Sequence, residues 1–174
     1  MSGKTLIILR HGQAKNAGIS EHDHNRALTS QGRDEAMGVG EILADNGLIP
    51  DYVLCSTATR TRETLAELQN SFPEPLAVTY SQKIYNASEN DLINQVATTL
   101  ENINRLLLIG HNPGLYQLAL VLAKGGDKQM HNELQMQFPT CALVVINFEG
   151  EWRNIIHTHS KLALFTTPQK QIMA

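Results

Sequence analysis

Arginine and histidine side chains stand at three places where an apolar run of the sequence ends. Arg10 and His11 follow the first run, Arg60 lies shortly after the second, and His111 follows the third. An arginine presents N–H donors in a fixed fork that matches a phosphate group. A neutral imidazole carries a nucleophilic lone pair near pH 7. These residue types together suit a site that binds an anion and holds a nucleophile or a base beside it.

The first apolar run, residues 5–9, is typical of a buried strand in a parallel sheet. Ligands of open α/β sheets bind just beyond the carboxyl ends of such strands, which is where Arg10 and His11 stand. Gly12 follows them and allows the chain to turn and a ligand to approach the backbone. Taken alone, this stretch also fits an ordinary strand end whose arginine and histidine are solvated.

The other two runs repeat this arrangement. Residues 52–55 form a predicted strand, and the helix that follows has Arg60 in its first turn, where Ser56 and its neighbour are expected caps. Free backbone N–H groups and the positive end of the helix dipole lie there too. Residues 106–109 form a further predicted strand, which leads to His111. If the three strands are parallel neighbours, their functional side chains converge on one pocket.

Strands that alternate with helices predict a three-layer α/β/α sandwich with a mostly parallel central sheet, in a single domain over residues 1–174. The predicted strands are residues 5–9, 52–55, 76–80, 106–109, 141–148 and 152–158. The last two of these are expected to form an antiparallel hairpin. Predicted helices run from Thr29 or Ser30 to Gly47 and over residues 56–72, 92–103 and 113–124. Residues 130–138 carry too weak a pattern for an assignment.

The overall charge indicates no affinity for nucleic acid, because 14 lysines and arginines face 17 acidic residues and the net charge is −3. Cys55 and Cys141 adjoin apolar runs and are expected to be buried and unpaired, as in a reducing compartment. The amino-terminal apolar run is shorter than a signal-peptide core, and no segment approaches the roughly 20 apolar residues of a membrane span. We therefore expect a cytoplasmic protein without a membrane partner.

In order and spacing, these stretches resemble the histidine phosphatase (phosphoglycerate-mutase-like) superfamily. Residues 9–12 match its Arg-His-Gly signature, residues 56–64 its serine and arginine block, and residues 109–114 its second-histidine block. The sequence is closer still to the SixA-type phosphohistidine phosphatase branch. The features shared with that branch are Asp23, Arg26, Leu28, Thr29 and Gly32, the segment 110–114 and the segment 139–143. The resemblance covers about residues 5–160.

This resemblance implies a phosphoglycerate-mutase-like fold and a phosphatase that needs no metal and no cofactor. His11 would be the nucleophile, and Arg10, Arg60 and a protonated His111 would hold the phosphoryl oxygens. The chemistry of imidazole fits these roles, since a backbone carbonyl bound to Nδ1 of His11 would leave the Nε2 lone pair aimed at phosphorus. Attack would give a phosphohistidine intermediate, which water then hydrolyses.

Two further residues have roles that the sequence leaves open. Arg26 either reaches the rim of the pocket and binds substrate, or pairs with Asp23 and fixes the loop. Glu89 is the one carboxylate in residues 85–89, where larger superfamily members carry a general acid, but it also suits a first helical turn. The imidazole of a phosphohistidine departs without a strong acid. The weak acid signal therefore favours a substrate with a P–N bond.

The remaining histidines and the chain lengths bear on partners. His22, His24, His157 and His159 are possible metal ligands, but nothing pairs them at a recognised spacing, so we expect no metal. The segment between the second and third predicted helices is short, whereas larger relatives carry a capping insertion there. An uncapped pocket suits a phosphorylated partner protein, so the leading hypothesis is a monomeric protein-phosphohistidine phosphatase. A small-molecule phosphomonoesterase on the same site and a non-catalytic phosphate-binding module stay open as alternatives.

Overall fold

The computed structural model describes residues 3–18 and 22–168, which form one seven-stranded sheet with helices on both faces. The strands are β1 (Lys4–Arg10), β2 (Tyr52–Ser56), β3 (Val78–Ser81), β4 (Arg105–Gly110), β5 (Gly125–Gly126), β6 (Leu143–Phe148) and β7 (Lys161–Thr166). The helices are α1 (Ser30–Asp45), α2 (Thr59–Gln69), α3 (Glu89–Ala97), α4 (Gly114–Leu122) and α5 (Lys128–Met136). The predicted three-layer α/β/α fold is confirmed, and the single-domain boundary at residues 1–174 stays a prediction.

The order of strands brings the three predicted site segments together. The sheet runs β3-β2-β4-β1-β6-β7-β5, with β3, β2, β4 and β1 mutually parallel along that order and β6 antiparallel to both of its neighbours. Because β2, β4 and β1 are adjacent and parallel, their carboxyl ends meet at one edge of the sheet. The segments that carry Arg60, His111 and His11 all leave the sheet at that edge.

Alternate residues of the central strands supply two separate cores. Leu6 and Ile8 of β1 pack with apolar residues of α3, α4 and α5, whereas Ile7 and Leu9 pack with α1 and α2. A strand that is buried on both faces needs a continuous apolar sequence, which is what residues 5–9 provide. The two cores therefore hold β1 in place from both faces, and β1 leads directly to His11.

The helix α1 begins and ends as predicted. Thr29 is the N-cap, and its side chain accepts a hydrogen bond from the Gly32 N–H at 3.0 Å. The helix ends at Asp45, and Gly47 follows with a φ of 64°, a left-handed conformation that glycine adopts without strain. This helix packs its amino-terminal end against the loop that follows β1, and that loop carries His11.

The carboxyl-terminal hairpin is predicted at the wrong residues. Trp152–His157 forms a 3₁₀ helix rather than a strand, and the partner of β6 is β7. Trp152 and Ile155 are the buried residues of this turn, and their spacing of three positions places both on the core side of a 3₁₀ helix. Polar and apolar residues do not alternate strictly along residues 152–158, so the sequence there also fits a 3₁₀ helix.

Other differences concern helix boundaries. Residues 128–136 form α5, although the sequence pattern of residues 130–138 is too weak for an assignment. The second helix starts at Thr59 with Ala58 as N-cap, so Ser56 belongs to β2 rather than to a helix cap. The third helix ends at Ala97 instead of reaching residue 103. Cys55 and Cys141 are buried and free, as expected. No helix within residues 3–18 and 22–168 is long and apolar enough to cross a membrane.

Candidate active site

His11 and His111 face each other where β1 and β4 end. Their ring centroids lie 5.2 Å apart, with 57° between the ring planes. The backbone N–H of His11 donates to the carbonyl of Gly110 at 3.2 Å, so the ladder between the two strands continues into the site. Both side chains are buried, at 7% and 6% exposure. The predicted convergence of the strand ends on one pocket is therefore observed.

The hydrogen bonds of His11 fix its tautomer. Nδ1 lies 2.7 Å from the carbonyl oxygen of Gly12, and Nε2 lies 3.2 Å from Nε of Arg60. Since an arginine only donates, Nε2 accepts and Nδ1 carries the proton that binds Gly12. Burial, together with the charges of Arg60 and Arg10, lowers the pKa of His11 to about 4. The imidazole is therefore neutral near pH 7, with its Nε2 lone pair directed into the pocket.

Gly12 is held at this position from two sides. Its N–H donates to Thr64 Oγ1 at 3.0 Å, and that hydroxyl donates to the carbonyl of Arg60 at 2.7 Å, which ties the loop to α2. Gly12 also approaches α1 so closely that a Cβ atom there would lie 2.5 Å from the carbonyl oxygen of Gly32. Two glycines are thus needed for the close contact that places the backbone acceptor of His11.

Arg60, in the first turn of α2, joins the two imidazoles. Its Nε donates to His11 Nε2 and its Nη2 to His111 Nδ1, each at 3.2 Å. These two nitrogens form one edge of the guanidinium, which is the fork that matches two oxygens of a phosphoryl group. The side chain is 4% exposed. A phosphoryl group between the two histidines would therefore meet a buried, pre-oriented pair of donors.

His111 is oriented from behind by Ser56, the last residue of β2. Its Nε2 lies 2.8 Å from Ser56 Oγ, and since Nδ1 accepts from Arg60, Nε2 is the protonated nitrogen. Burial and the neighbouring His11 and Arg60 lower the pKa of His111 to about 3. His111 is therefore neutral near pH 7 in this structure, because burial, the second imidazole and Arg60 all disfavour its charged form. The protonated state expected for His111 with phosphoryl oxygens bound stays a prediction.

Arg10, the last residue of β1, reaches the same edge of the sheet. Its Nη1 donates to the carbonyl of Phe138 at 2.8 Å, and the amide nitrogen of Asn112 donates to that carbonyl at 3.1 Å. Its Nε is buried and has no hydrogen-bond partner among the described residues, and neither has Oδ1 of Asn112. Burial and the charge of Arg60 lower the pKa of Arg10. Arg10 therefore keeps at least one donor free for a ligand.

Asp23 and Tyr85 belong to the site, although the sequence analysis gave neither a catalytic role. Asp23 accepts from Arg60 through its backbone carbonyl at 2.7 Å and through Oδ2 at 3.1 Å. The hydroxyl of Tyr85 donates to the same Oδ2 at 2.7 Å, and the Tyr85 ring meets His111 edge to face with centroids 5.3 Å apart. Asp23 shares a sequence motif with Arg26, which is a signal for its place in the site, whereas no sequence pattern indicates a role for Tyr85.

Arg26 takes the second of its two predicted roles in this structure. Its Nε and Nη2 donate to Asp23 Oδ1 at 2.9 and 2.8 Å, and its Nη1 donates to the carbonyl of Lys15 at 2.9 Å. The guanidinium thereby fixes the loop beside the pocket. Direct binding of substrate by Arg26 stays a prediction.

Glu89 is the first residue of α3, where Ser88 and Asp91 form a capping box. Its carboxylate accepts a hydrogen bond from the side-chain amide of the neighbouring Asn90 at 3.3 Å, on the exposed surface. Of the two roles left open by the sequence, a general acid or a carboxylate of the first helical turn, Glu89 has the position of the second.

The histidines outside the pair His11 and His111 form no metal site in the part of the chain that is described. No three His, Cys, Asp or Glu side chains of these residues group as metal ligands. His24 instead contacts the Thr57 hydroxyl at 3.0 Å, and its ring meets the Tyr85 ring edge to face. His157 lies in the 3₁₀ helix rather than on the predicted strand face shared with His159.

Comparison with known proteins gives a consistent set of relatives. A model of the histidine phosphatase superfamily (branch 1) matches residues 6–83. Protein Rv1276c of Mycobacterium tuberculosis is 34% identical over 166 residues, which cover 92% of this chain and 100% of the relative. The chloroplastic protein At3g52155 of Arabidopsis thaliana is 33% identical over 137 residues, which cover 72% of this chain and 62% of that protein.

Solved structures match over almost the whole length. The putative phosphohistidine phosphatase SixA from Nakamurella multipartitia superposes with a TM-score of 0.83 at 26% identity, covering 97% of this chain and 98% of the other. The putative SixA from Agrobacterium tumefaciens gives a TM-score of 0.81 at 27% identity, covering 95% and 98%. The sheet order and flanking helices are therefore those of the phosphoglycerate-mutase-like fold.

Proposed function

The chain belongs to the histidine phosphatase superfamily, in its SixA-type branch, and we propose that it is a phosphatase that acts through a covalent phosphohistidine intermediate on His11. One observation carries this proposal: the unprotonated Nε2 of His11 points at the same buried fork of Arg60 that also meets His111. A nucleophile and two oxygen donors are thereby held around one position. When a phosphoryl group binds, its oxygens replace the two imidazole nitrogens as acceptors of these Arg60 donors, and the Nε2 lone pair of His11 becomes free to attack.

The proposed reaction has two steps. In the first, the Nε2 lone pair of His11 forms a bond to phosphorus while the bond to the leaving atom breaks, and the leaving group departs on the opposite side. The proton stays on Nδ1, hydrogen-bonded to the Gly12 carbonyl, and this bond stabilises the positive charge of the phosphorylated ring. In the second step a water oxygen attacks phosphorus as the P–N bond breaks, the bonding electrons return to Nε2, and the water protons leave with the phosphate, so that His11 is neutral again.

Arg60 and Arg10 supply the positive charge that phosphoryl transfer needs, and no metal or cofactor is required. The Nε and Nη2 donors of Arg60 and the free Nε of Arg10 hold the equatorial oxygens. A bound phosphoryl dianion also favours the protonated form of His111, because opposite charge at close range raises the pKa of an imidazole. His111 then donates from Nδ1 to an oxygen in place of accepting from Arg60.

The groups at the mouth of the pocket support a phosphohistidine substrate. Hydrogen bonds from Tyr85 and Arg26, with the charge of Arg60, lower the pKa of Asp23 to about 2, so this carboxyl is ionised near pH 7. The bond to Asp23 raises the pKa of Tyr85. Neither group is a good proton donor to an alkoxide. Phosphohistidine needs no such donor, since its second ring nitrogen can carry the proton and a neutral imidazole leaves.

The proposed substrate is a phosphohistidine on a partner protein. Between α2 and α3 the chain holds only the short strand β3 and one 3₁₀ turn, Gln82–Ile84, so no capping domain is inserted there. A protein side chain could therefore approach the edge of the sheet from the side of Asp23, which is exposed. We also propose a monomer and a cytoplasmic location, the latter supported by the buried free thiols of Cys55 and Cys141.

Turnover measurements on two substrates test the proposal. We expect a phosphohistidine-bearing protein to be hydrolysed with a kcat/KM at least about tenfold above that of a simple alkyl phosphate. Addition of EDTA is expected to leave both rates unchanged. Equal efficiency on both substrates would favour a general phosphomonoesterase. Binding of phosphate without any phosphate release would favour a non-catalytic binding module and would overturn the proposal.

A further inference from the structure

The guanidinium of Arg60 uses two of its edges for two different purposes. The edge formed by Nε and Nη2 faces the imidazoles of His11 and His111. The end formed by Nη1 and Nη2 is held by Asp23, through the backbone carbonyl at 2.7 Å and through Oδ2 at 3.1 Å. A planar guanidinium that is fixed along one edge has its other edge fixed too, because all its N–H bonds lie in one plane.

The carboxylate of Asp23 is itself fully engaged. Arg26 donates twice to Oδ1, and Tyr85 donates to Oδ2 beside Arg60. The Tyr85 ring also lies beneath the guanidinium of Arg60, with its centroid 5.9 Å from Cζ. These contacts cost side-chain entropy on an exposed loop, where Asp23 is 52% exposed. Such a tightly bonded acidic group next to a phosphate-binding arginine needs an explanation beyond stability, since exposed ion pairs contribute little.

We propose that Asp23, held by Tyr85 and Arg26, is a positioning residue that aligns the phosphoryl-binding edge of Arg60 for the transition state. This inference rests on the proposed phosphatase function of the same site. The carboxylate also places a negative charge close to the bound phosphoryl group, and this repulsion weakens the binding of phosphate. Asp23 thus favours the transition state over the bound phosphate product. The phosphoryl group in the transition state gains from the exact direction of the Nε and Nη2 donors of Arg60, whereas bound phosphate does not.

Substitution of the carboxylate should separate these two effects. In Asp23→Asn the shape is kept and the backbone carbonyl bond remains, but the charge-assisted bond to Arg60 is lost. We expect kcat to fall by about 10- to 100-fold, with no loss of affinity for inorganic phosphate in calorimetry. Tyr85→Phe removes one hydrogen bond to the same carboxylate and should lower kcat by about two- to tenfold. In the double variant these losses should not multiply, because both act through Asp23.

Two controls distinguish positioning from other roles. Glu151→Gln removes a carboxylate from the exposed ion pair with Arg153, away from the site, and should leave kcat, phosphate affinity and the melting temperature unchanged. A general acid at Asp23 would make Asp23→Asn slow an alkyl phosphate much more than phosphohistidine. We expect the same factor for both substrates. A parallel loss of kcat, phosphate affinity and thermal stability would indicate a merely structural role and would overturn the proposal, as would an unchanged kcat.

A readout without turnover keeps the inference separate from the proposed function. The Nε–H of Arg60 should give a slowly exchanging NMR signal in the wild-type protein, because this proton is buried and bonded to His11. In Asp23→Asn this proton should exchange faster, and in Glu151→Gln it should not. If the wild type hydrolyses no phosphorylated substrate but the Arg60 Nε–H exchanges faster in Asp23→Asn, the proposed function fails, whereas the alignment of Arg60 by Asp23 stands. If the signal is unaffected, the positioning fails whatever the activity.

Discussion

His11 Nε2 and His111 Nδ1 accept hydrogen bonds from the same edge of Arg60, each at 3.2 Å. The two histidines, which follow β1 and β4, lie 100 residues apart in the sequence, and the arginine comes from a helix between them. This shared donor fixes the opposite tautomers of the two imidazoles, and its charge adds to burial in keeping both neutral near pH 7. It also defines the position of a phosphoryl group between nucleophile and donors.

The geometry of this fork can be tested by changing Arg60 to lysine, which keeps the charge but loses the planar pair of donors. We expect Arg60→Lys to lower kcat/KM by about 10²- to 10³-fold, as for the loss of an oxyanion donor. Steady-state kinetics with phosphohistidine as substrate measures this, with circular dichroism to verify folding. A kcat/KM within threefold of wild type would show that charge alone suffices and that the fork has no special role.

The pH dependence of the rate follows from the environment of His11. Burial lowers the pKa of this imidazole to about 4, and Arg60, Arg10 and Arg26 add to the effect, whereas the bond to Gly12 opposes it. We expect kcat/KM to keep its neutral-pH value well below the ordinary histidine pKa of 6.5 and to fall only near pH 4. The profile should be recorded after correction for protonation of the substrate. An acid limb centred near 6.5 would mean that the nucleophile is not this buried histidine.

The same shifts predict how stability depends on pH. For His11 and His111 the folded-state pKa is depressed below the unfolded value, so the unfolded chain binds more protons as the pH falls. Their stabilising effect is complete above about pH 6.5 and is lost as the pH falls toward 4, at up to about 1.4 kcal/mol per pH unit for each histidine. Urea unfolding between pH 7 and pH 4.5 measures this slope. His111→Gln should reduce the slope, whereas the exposed control His157→Gln should not.

The close approach of two glycines gives a prediction about the loop that carries His11. A Cβ on Gly32 would lie 2.2 Å from the carbonyl oxygen of Gln13, so the backbone must shift. We expect Gly32→Ala to cost about 1–3 kcal/mol of unfolding free energy and to lower activity as His11 moves. Gly125→Ala is the matched control, because its Cβ would make only ordinary contacts, at 3.4 Å from the Lys161 side chain and 3.7 Å from the Ser160 carbonyl oxygen. Equal stability of both variants would contradict the tight packing of Gly12 on Gly32.

The sequence predicts those parts of this structure that depend on local patterns. The continuous apolar run of β1 is typical of a strand buried on both faces, and the side chain of Thr29 is typical of an N-cap. The residues Trp152 to His157 show the limit of such patterns, because a short apolar sequence suits either a strand or a 3₁₀ turn. Only the packing of Trp152 and Ile155 in the core decides between them.

The candidate site shows the same division. His11, Arg60 and His111 could be found because each follows a strand, and strand ends meet at one edge of a parallel sheet. The roles of Asp23 and Tyr85 could not be found, because 62 residues separate them and their contact depends on how two loops fold over Arg60. The neutral state of His111 was also beyond the sequence, since it follows from burial and from the direction of Arg60.

The covalent intermediate is the central claim, and rapid acid-free quenching of the enzyme with a labelled phosphohistidine substrate tests it most directly. Peptide mapping by mass spectrometry should find the phosphoryl group on Nε2 of His11, because Nδ1 is protonated and donates a hydrogen bond to the Gly12 carbonyl. His11→Ala should carry no label and should lose about 10³-fold or more in kcat, with an unchanged fold. Phosphate release by His11→Ala at the wild-type rate, or a label on His111 instead of His11, would contradict the account.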